Sequence, residues 1–325
     1  MIRAAVLPLV LAACSAAARA DTLYVSDEGD NVVHVIDSAS LKETGRLDVG
    51  KRPRGIALSP DRKTLYVAAS DSNDIAAVDL TTGKVTARLP SGPDPETFAL
   101  SPDGKRLYVA NENDNLMSIV DIAAAKTIAE VPVGGEPEGT AVSPDGRLAV
   151  QAAESSSSAH VIDAETGKVL ANLLVDQRPR FVAFTPDGAR FWISSELRGT
   201  ISVFDTASRK LIGKIDFQAA KLTDGKDPEV FVQPVGVAFT RDGKRAFVGL
   251  GRAKLVAEVD PATLAIVRTR PAGWRAWNVA LSPDETRLYS ANGLSGDVTA
   301  IDVAANKVIG TVHVGGKPWG IVVAP

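Results

Sequence analysis

The sequence predicts an all-β fold, a seven-bladed β-propeller of four-stranded blades, and three observations predict it. A Ser-Pro-Asp or Thr-Pro-Asp turn recurs at a fixed interval, short apolar runs fill the space between turns, and each end of the chain supplies only part of one blade. Turn prolines stand at Pro60, Pro102, Pro144 and Pro186, 42 residues apart, and again at Pro283 and Pro325. The 97-residue gap between Pro186 and Pro283 hides a degenerate copy, Thr240-Arg241-Asp242. A period of about 40–45 residues with four strands per unit is the signature of a propeller blade.

The stretch Arg52–Asp79 sets the pattern for the rest. Its runs Gly55–Leu58, Leu65–Ala69 and Ile75–Val78 are separated by turn residues, and a fourth run, Val85–Leu89, follows the Thr81-Thr82-Gly83-Lys84 turn. Runs this short and rich in Val, Ile, Leu and Tyr suit antiparallel strands rather than helices. Proline fixes φ and the aspartate side chain can accept from its own downstream backbone, so Ser-Pro-Asp suits the hairpin between first and second strands. First strands are expected to begin near Pro53, Pro95, Pro137, Pro179, Pro234, Ala276 and Pro318. The N-terminal runs Thr22–Val25, Val32–Asp37 and Thr44–Val49 lack a first strand, and the C-terminal Pro318–Pro325 has nothing else. Joined, they complete the seventh blade and remove two sheet edges.

Residues 1–20 read as an export signal, with Arg3, an apolar run Ala4–Ala13 and Ala18-Arg19-Ala20 before Asp21. Leu11-Ala12-Ala13-Cys14 alternatively suits a lipoprotein signal that leaves a lipidated Cys14. Either reading expects a periplasmic protein, soluble or lipid-anchored, with one propeller over 21–325 and no transmembrane segment. No other cysteine exists, so that domain is expected to have neither a disulfide nor a thiolate metal site. The formal charge of −3 becomes −5 without Arg3 and Arg19, which argues against a nucleic-acid partner needing a basic face.

The turns sort onto two faces. Asp37, Asp79, Asp121, Asp163, Asp205, Asp260 and Asp302 end the third strands on the bottom, where each is expected to cap its own turn. On the top face the repeat breaks. The residue after the first-strand proline is Arg54, Glu96, Glu138, Arg180, Val235, Trp277 and Trp319 in blade order; the residue before it is Arg52, Asp94, Glu136, Arg178, Gln233, Arg275 and Lys317. A further register holds Glu28, Glu112, Glu154 and Glu196. Arg54, Glu96, Glu138, Arg180, Trp277, Trp319, Glu28, Glu112, Glu154 and Glu196 are therefore the candidate ligand or partner site. Tryptophans offer stacking area and charged groups fix orientation, and clustered carboxylates could hold a hard cation such as Ca²⁺. Blade spacing grows by 13 residues between Pro186 and Arg241, which places an insertion near 216–232 on the same face as a lid or docking surface. His34, His160 and His313 fall in third and fourth strands and read as packing or edge residues.

These units resemble the YVTN family of bacterial β-propellers. Arg52–Asp61, Ser91–Gly104, Tyr108–Asn115, Asp176–Phe181, Ser194–Asp205 and Pro318–Pro325 resemble in particular the propellers associated with catabolism dependent on pyrroloquinoline quinone (PQQ). The resemblance implies an exported protein that serves PQQ-dependent alcohol or aldehyde oxidation, with a periplasmic dehydrogenase or a transporter component as partner. It carries no catalytic residues over. The chain is unlike the dehydrogenases themselves, which resemble eight-bladed propellers with a vicinal cysteine pair. The first functional reading is a non-enzymatic binding or scaffold propeller, with PQQ or Ca²⁺ as possible ligands. The alternative is a metal-assisted, lactonase-like hydrolase using Glu96, Glu138, Glu112 and Glu154, since lactone hydrolysis needs a positioned base or metal-bound water.

Overall fold

A computed structural model describes residues 21–223 and 230–325; the two signal readings, with Cys14, and part of the insertion lie outside the described residues. The described chain folds into seven four-stranded antiparallel sheets arranged as a ring. Blade 1 shows the plan: Pro53–Leu58, Thr64–Ala69, Asp74–Asp79 and Lys84–Pro90, from channel to outer edge. Small and branched aliphatic residues alternate between blade faces, and neighbouring blades share those faces. Tyr66, Ala68, Ile75 and Leu89 of blade 1 thus pack on Phe98, Leu107, Val109 and Val120 of blade 2.

The bottom turns are as chemistry dictates. Ser59 Oγ donates to Asp61 at 2.6 Å and accepts from Thr64 N at 2.9 Å. Thr240 repeats the arrangement with Asp242 at 2.7 Å, so the degenerate copy is the same turn with another hydroxyl. All seven third-strand aspartates accept from backbone N–H groups two or three residues on, among them Ser40, Thr82, Ala124 and Ser208.

Ring closure follows the predicted pairing. Pro318–Ala324 runs antiparallel beside Thr22–Asp27, with Leu23 opposite Val323 and Val25 opposite Ile321. Asp27 tightens the junction, since its Oδ1 accepts from Lys317 N at 2.7 Å. His34 lies between two carboxylates, with Nε2 3.3 Å from Asp27 Oδ2 and Nδ1 2.9 Å from Glu43 Oε1. Only the imidazolium can donate from both nitrogens. Burial works against that charge, but the bonds to Asp27 and Glu43 prevail and raise the His34 pKa above its usual value. His160 occupies the same place in blade 3 and is the opposite case. It accepts from Gly134 N at 2.8 Å, and burial lowers its pKa. A raised folded-state pKa contributes stability that is complete below the unfolded value near 6.5 and lost as pH rises through the folded one. Urea midpoints of the wild type should therefore fall on going alkaline from about pH 6.5, and His34→Gln should flatten that slope. A slope unchanged in the variant would show that His34 is not the titrating group.

Blade 5 departs from the expected boundaries. Its first strand is Val237–Phe239 rather than beginning at Pro234, and the connection from blade 4 runs from Asp216 to that strand. Pro234 has no N–H to give a ladder, yet Val235 N still donates to Gly249 O at 3.0 Å.

Candidate functional site

The mouth of the channel on the top face is built by the start of each first strand. Regular pairing stops between the proline and the fourth residue, as with Pro53–Ala69 and then Ile56–Val67. That bulge turns the residue after the proline toward the axis. The layer beneath is held by bonds from blade to blade, for example Ser26 Oγ to Arg54 O at 2.6 Å and Asn278 Nδ2 to Trp319 O at 3.0 Å. Glycine is required where backbones meet: a Cβ on Gly55 would lie 2.8 Å from Glu96 O, and one on Gly139 2.7 Å from Arg180 O.

The structure brings all ten candidate residues to this mouth and joins them into one network. Arg54 Nε donates to Glu28 at 2.7 Å, and its Nη1 bonds Glu96. Arg180 holds Glu138 at 2.6 Å, bonds Glu154 and lies 3.8 Å from Glu196. Arg52 pairs with Asp94, and Arg178 lies 3.0 Å from both Glu154 and Glu196. Gln233 donates to Glu196 at 3.0 Å, and Arg275 stands 4.0 Å from the same carboxylate. Arg52, Asp94, Arg178, Gln233 and Arg275 are not among the ten candidates, although their common register before the proline marked them. A residue flanking a bulge reaches the same mouth as the one inside it.

The tryptophans differ from the expectation of open stacking faces. Trp277 and Trp319 are 5 % and 4 % exposed and pack with Val235. Their ring centroids are 6.5 Å apart. Arg180 and Arg275 cover Trp277 at 4.8 and 4.0 Å, and Arg54 lies 5.9 Å over Trp319. Val235 holds the corresponding position of blade 5, and Arg180 of blade 4 reaches Trp277 of blade 6. Trp274 is the exposed one. Trp277→Ala should therefore destabilise the fold by about 3–5 kcal/mol, the usual cost of emptying a buried aromatic site; a urea midpoint equal to the wild type would contradict this packing.

Charge balance sets the chemistry of the mouth. Glu28, Glu96, Glu112, Glu138, Glu154, Glu196 and Asp94 face Arg52, Arg54, Arg178, Arg180 and Arg275, so carboxylates outnumber guanidiniums. Burial and the crowding of like charges raise the pKa of Glu112 and Glu138 among them. Burial, then the hydrogen bond and charge of Glu96, push Glu112 up to about 8. Burial raises Glu138 well above the carboxylate range in spite of Arg180, and Glu138 hydrogen-bonds Glu154. Burial also works to raise Glu154, but that bond and the charges of Arg180 and Arg178 hold it low. Of the two neighbouring carboxyls, Glu138 is thus the one pushed toward its protonated form and Glu154 the one held as carboxylate. Oxygens of Asp94, Glu96 and Glu112 lie within 4.8 Å of one another. The three histidines stand elsewhere, two inside blades and His313 on a fourth strand. No helix among the described residues is long and apolar enough to cross a membrane.

A family model described as YNCE-like beta-propeller matches residues 2–105, and one described as Cytochrome D1 heme domain matches residues 61–180. No curated protein matches the chain. Among solved structures it is similar to hydrazine synthase of Kuenenia stuttgartiensis, at 24% identity over 87% of this chain and 92% of that one, with a TM-score of 0.76. A functionally unknown protein from Desulfotomaculum acetoxidans is 17% identical over 94% and 99%, with a TM-score of 0.80. A provisionally named 6-phosphogluconolactonase from Bacteroides uniformis is 18% identical over 94% and 99%, with a TM-score of 0.74. At such identities the likeness is one of fold. The two family models and the seven observed blades together support a β-propeller family for this chain.

Proposed function

We propose that this protein is a non-enzymatic binding propeller of the periplasm, accessory to PQQ-dependent alcohol or aldehyde oxidation, and that the top-face mouth is its binding site. One observation carries the reading. The same repeat position holds two arginines, two glutamates, a valine and two tryptophans at the mouth, whereas the bottom repeats one turn chemistry. Blade stability gives no reason for this: buried ion pairs are weak evidence for stability, and well-packed apolar residues often do as well. The PQQ association comes from the sequence resemblance. The carboxylate surplus makes the mouth better suited to a cationic or neutral group than to a tri-anionic quinone, because Arg54 and Arg180 already have carboxylate partners. Calorimetric titration with Ca²⁺, lanthanide ions and PQQ, with co-purification against a periplasmic quinoprotein dehydrogenase, tests the reading. Binding of a cation or of the dehydrogenase, lost in Glu96→Gln with Glu112→Gln, is the expected result. Silence in every titration together with no complex would remove it.

A hydrolase remains the second reading, favoured by one feature: Glu112 at about 8 beside Glu96, a proton donor next to acceptors. The lactonase name of one structural neighbour belongs to that neighbour and supplies the assay. Turnover of gluconolactone phosphate that rises with protonation of Glu112 and disappears in Glu112→Gln would favour it; no turnover with or without divalent metal would end it.

A further inference from the structure

The top face is divided by charge and by polarity, outside the buried mouth. Over blades 7, 1, 2 and 3 its loops present exposed Asp30, Asp71, Asp114 and Glu136, which outnumber the exposed Lys51 and Lys317. Over blades 4, 5 and 6 the described loop residues present exposed Arg198, Lys221 and Lys254 together with large apolar side chains. Leu197 is 63% exposed, Phe231 55%, Trp274 42% and Leu294 41%. These residues belong to four separate loops, three that follow second or fourth strands and one in the insertion.

The four loops form a continuous arc. A Cβ on Gly199 would touch Val232 O at 3.0 Å, which sets the Leu197 loop against the Phe231 segment. Gln233 Oε1 accepts from Arg252 N at 3.4 Å, and Arg275 N donates to Gly251 O at 3.1 Å. Leu294 N donates to Trp274 O at 3.0 Å. The Lys254 ammonium lies 5.1 Å over the Trp274 ring. Neither Lys254 nor Arg252 has a carboxylate within 4.0 Å among the described residues. Exposed Leu, Phe and Trp side chains gathered on one surface are costly to leave in water, and aromatic and arginine side chains are those that anchor interfaces.

We propose that this arc docks a partner protein through a segment that carries acidic and large apolar side chains. Charge complementarity selects the occupant. A second copy of this chain could set its acidic loops against the arc's cations, but those loops carry no exposed large apolar side chain to cover Leu197, Phe231, Trp274 and Leu294. An anionic lipid surface would attract the arc but repel the acidic loops of the same face. A protein can carry both complements. The inference goes beyond the mouth reading and does not depend on it, because the arc residues lie outside the buried network.

The test uses phage-displayed random dodecapeptides selected on the immobilised propeller. Enriched peptides should be rich in Asp and Glu together with Trp, Phe or Leu. They should bind Arg252→Glu with Lys254→Glu, and separately Trp274→Ala, at least about tenfold more weakly, and weaken with added salt. Asp71→Asn with Asp114→Asn should leave them unchanged. Peptides without acidic bias, or binding indifferent to the arc variants, would overturn the proposal. So would cosedimentation with phosphatidylglycerol vesicles that the same arc variants abolish, since the surface would then be a membrane contact. Glu96→Gln with Glu112→Gln separates the two readings: it should impair the mouth and spare peptide binding.

Discussion

Arg180→Ala should lower the free energy of unfolding by about 3–5 kcal/mol, the cost of removing one partner from a buried ion pair. The arginine is 5% exposed and holds Glu138 and Glu154, with Glu196 3.8 Å away. Its loss leaves those carboxyls buried beside fewer cations, Arg178 and Arg275 among them, and uncovers one face of Trp277. Urea unfolding followed by tryptophan fluorescence measures the drop. A companion variant decides why the network exists. Arg180→Met with Glu138→Leu and Glu154→Leu replaces charge by apolar volume and should be as stable as the wild type. A large loss in that triple variant would make the network a stability device and remove the main support for a binding mouth.

Deleting residues 318–325 should abolish the monomeric fold. The strand carries Trp319, Ile321 and Val323, all nearly buried, and pairs with Thr22–Asp27. Truncating buried side chains of this size costs about 2–5 kcal/mol each, against a total stability of about 5–15 kcal/mol for a typical domain. The open blade would also expose an unpaired edge along Thr22–Asp27, a template for association. Size-exclusion chromatography with light scattering should find aggregate or no soluble protein. A truncated chain that stays monomeric and melts like the parent would refute closure by this strand.

The number of blades, their strand order and the bottom face were legible in the residues themselves. Period-two apolar runs and Ser-Pro-Asp turns act over fewer than ten residues, so local chemistry determines them. Closure was legible too, because the missing strand at one end and the surplus strand at the other are complementary inventories. The gathering of Arg54, Glu96, Glu138 and Arg180 at one mouth followed from their shared register in the repeat. Register places a side chain on a ring but does not say how deep it sits or which neighbour it reaches. That is why Trp277 and Trp319, read as open platforms, are packed under arginines, and why Arg52, Arg178 and Arg275 proved to be network members. Both depend on distances between blades. The opposite pKa directions of Glu138 and Glu154 were likewise beyond the sequence, since they arise from burial and from charges that meet only in space. The arc of Leu197, Phe231, Trp274 and Leu294 is the plainest case. Its loops are far apart along the chain, and only the curvature of the ring makes them one surface.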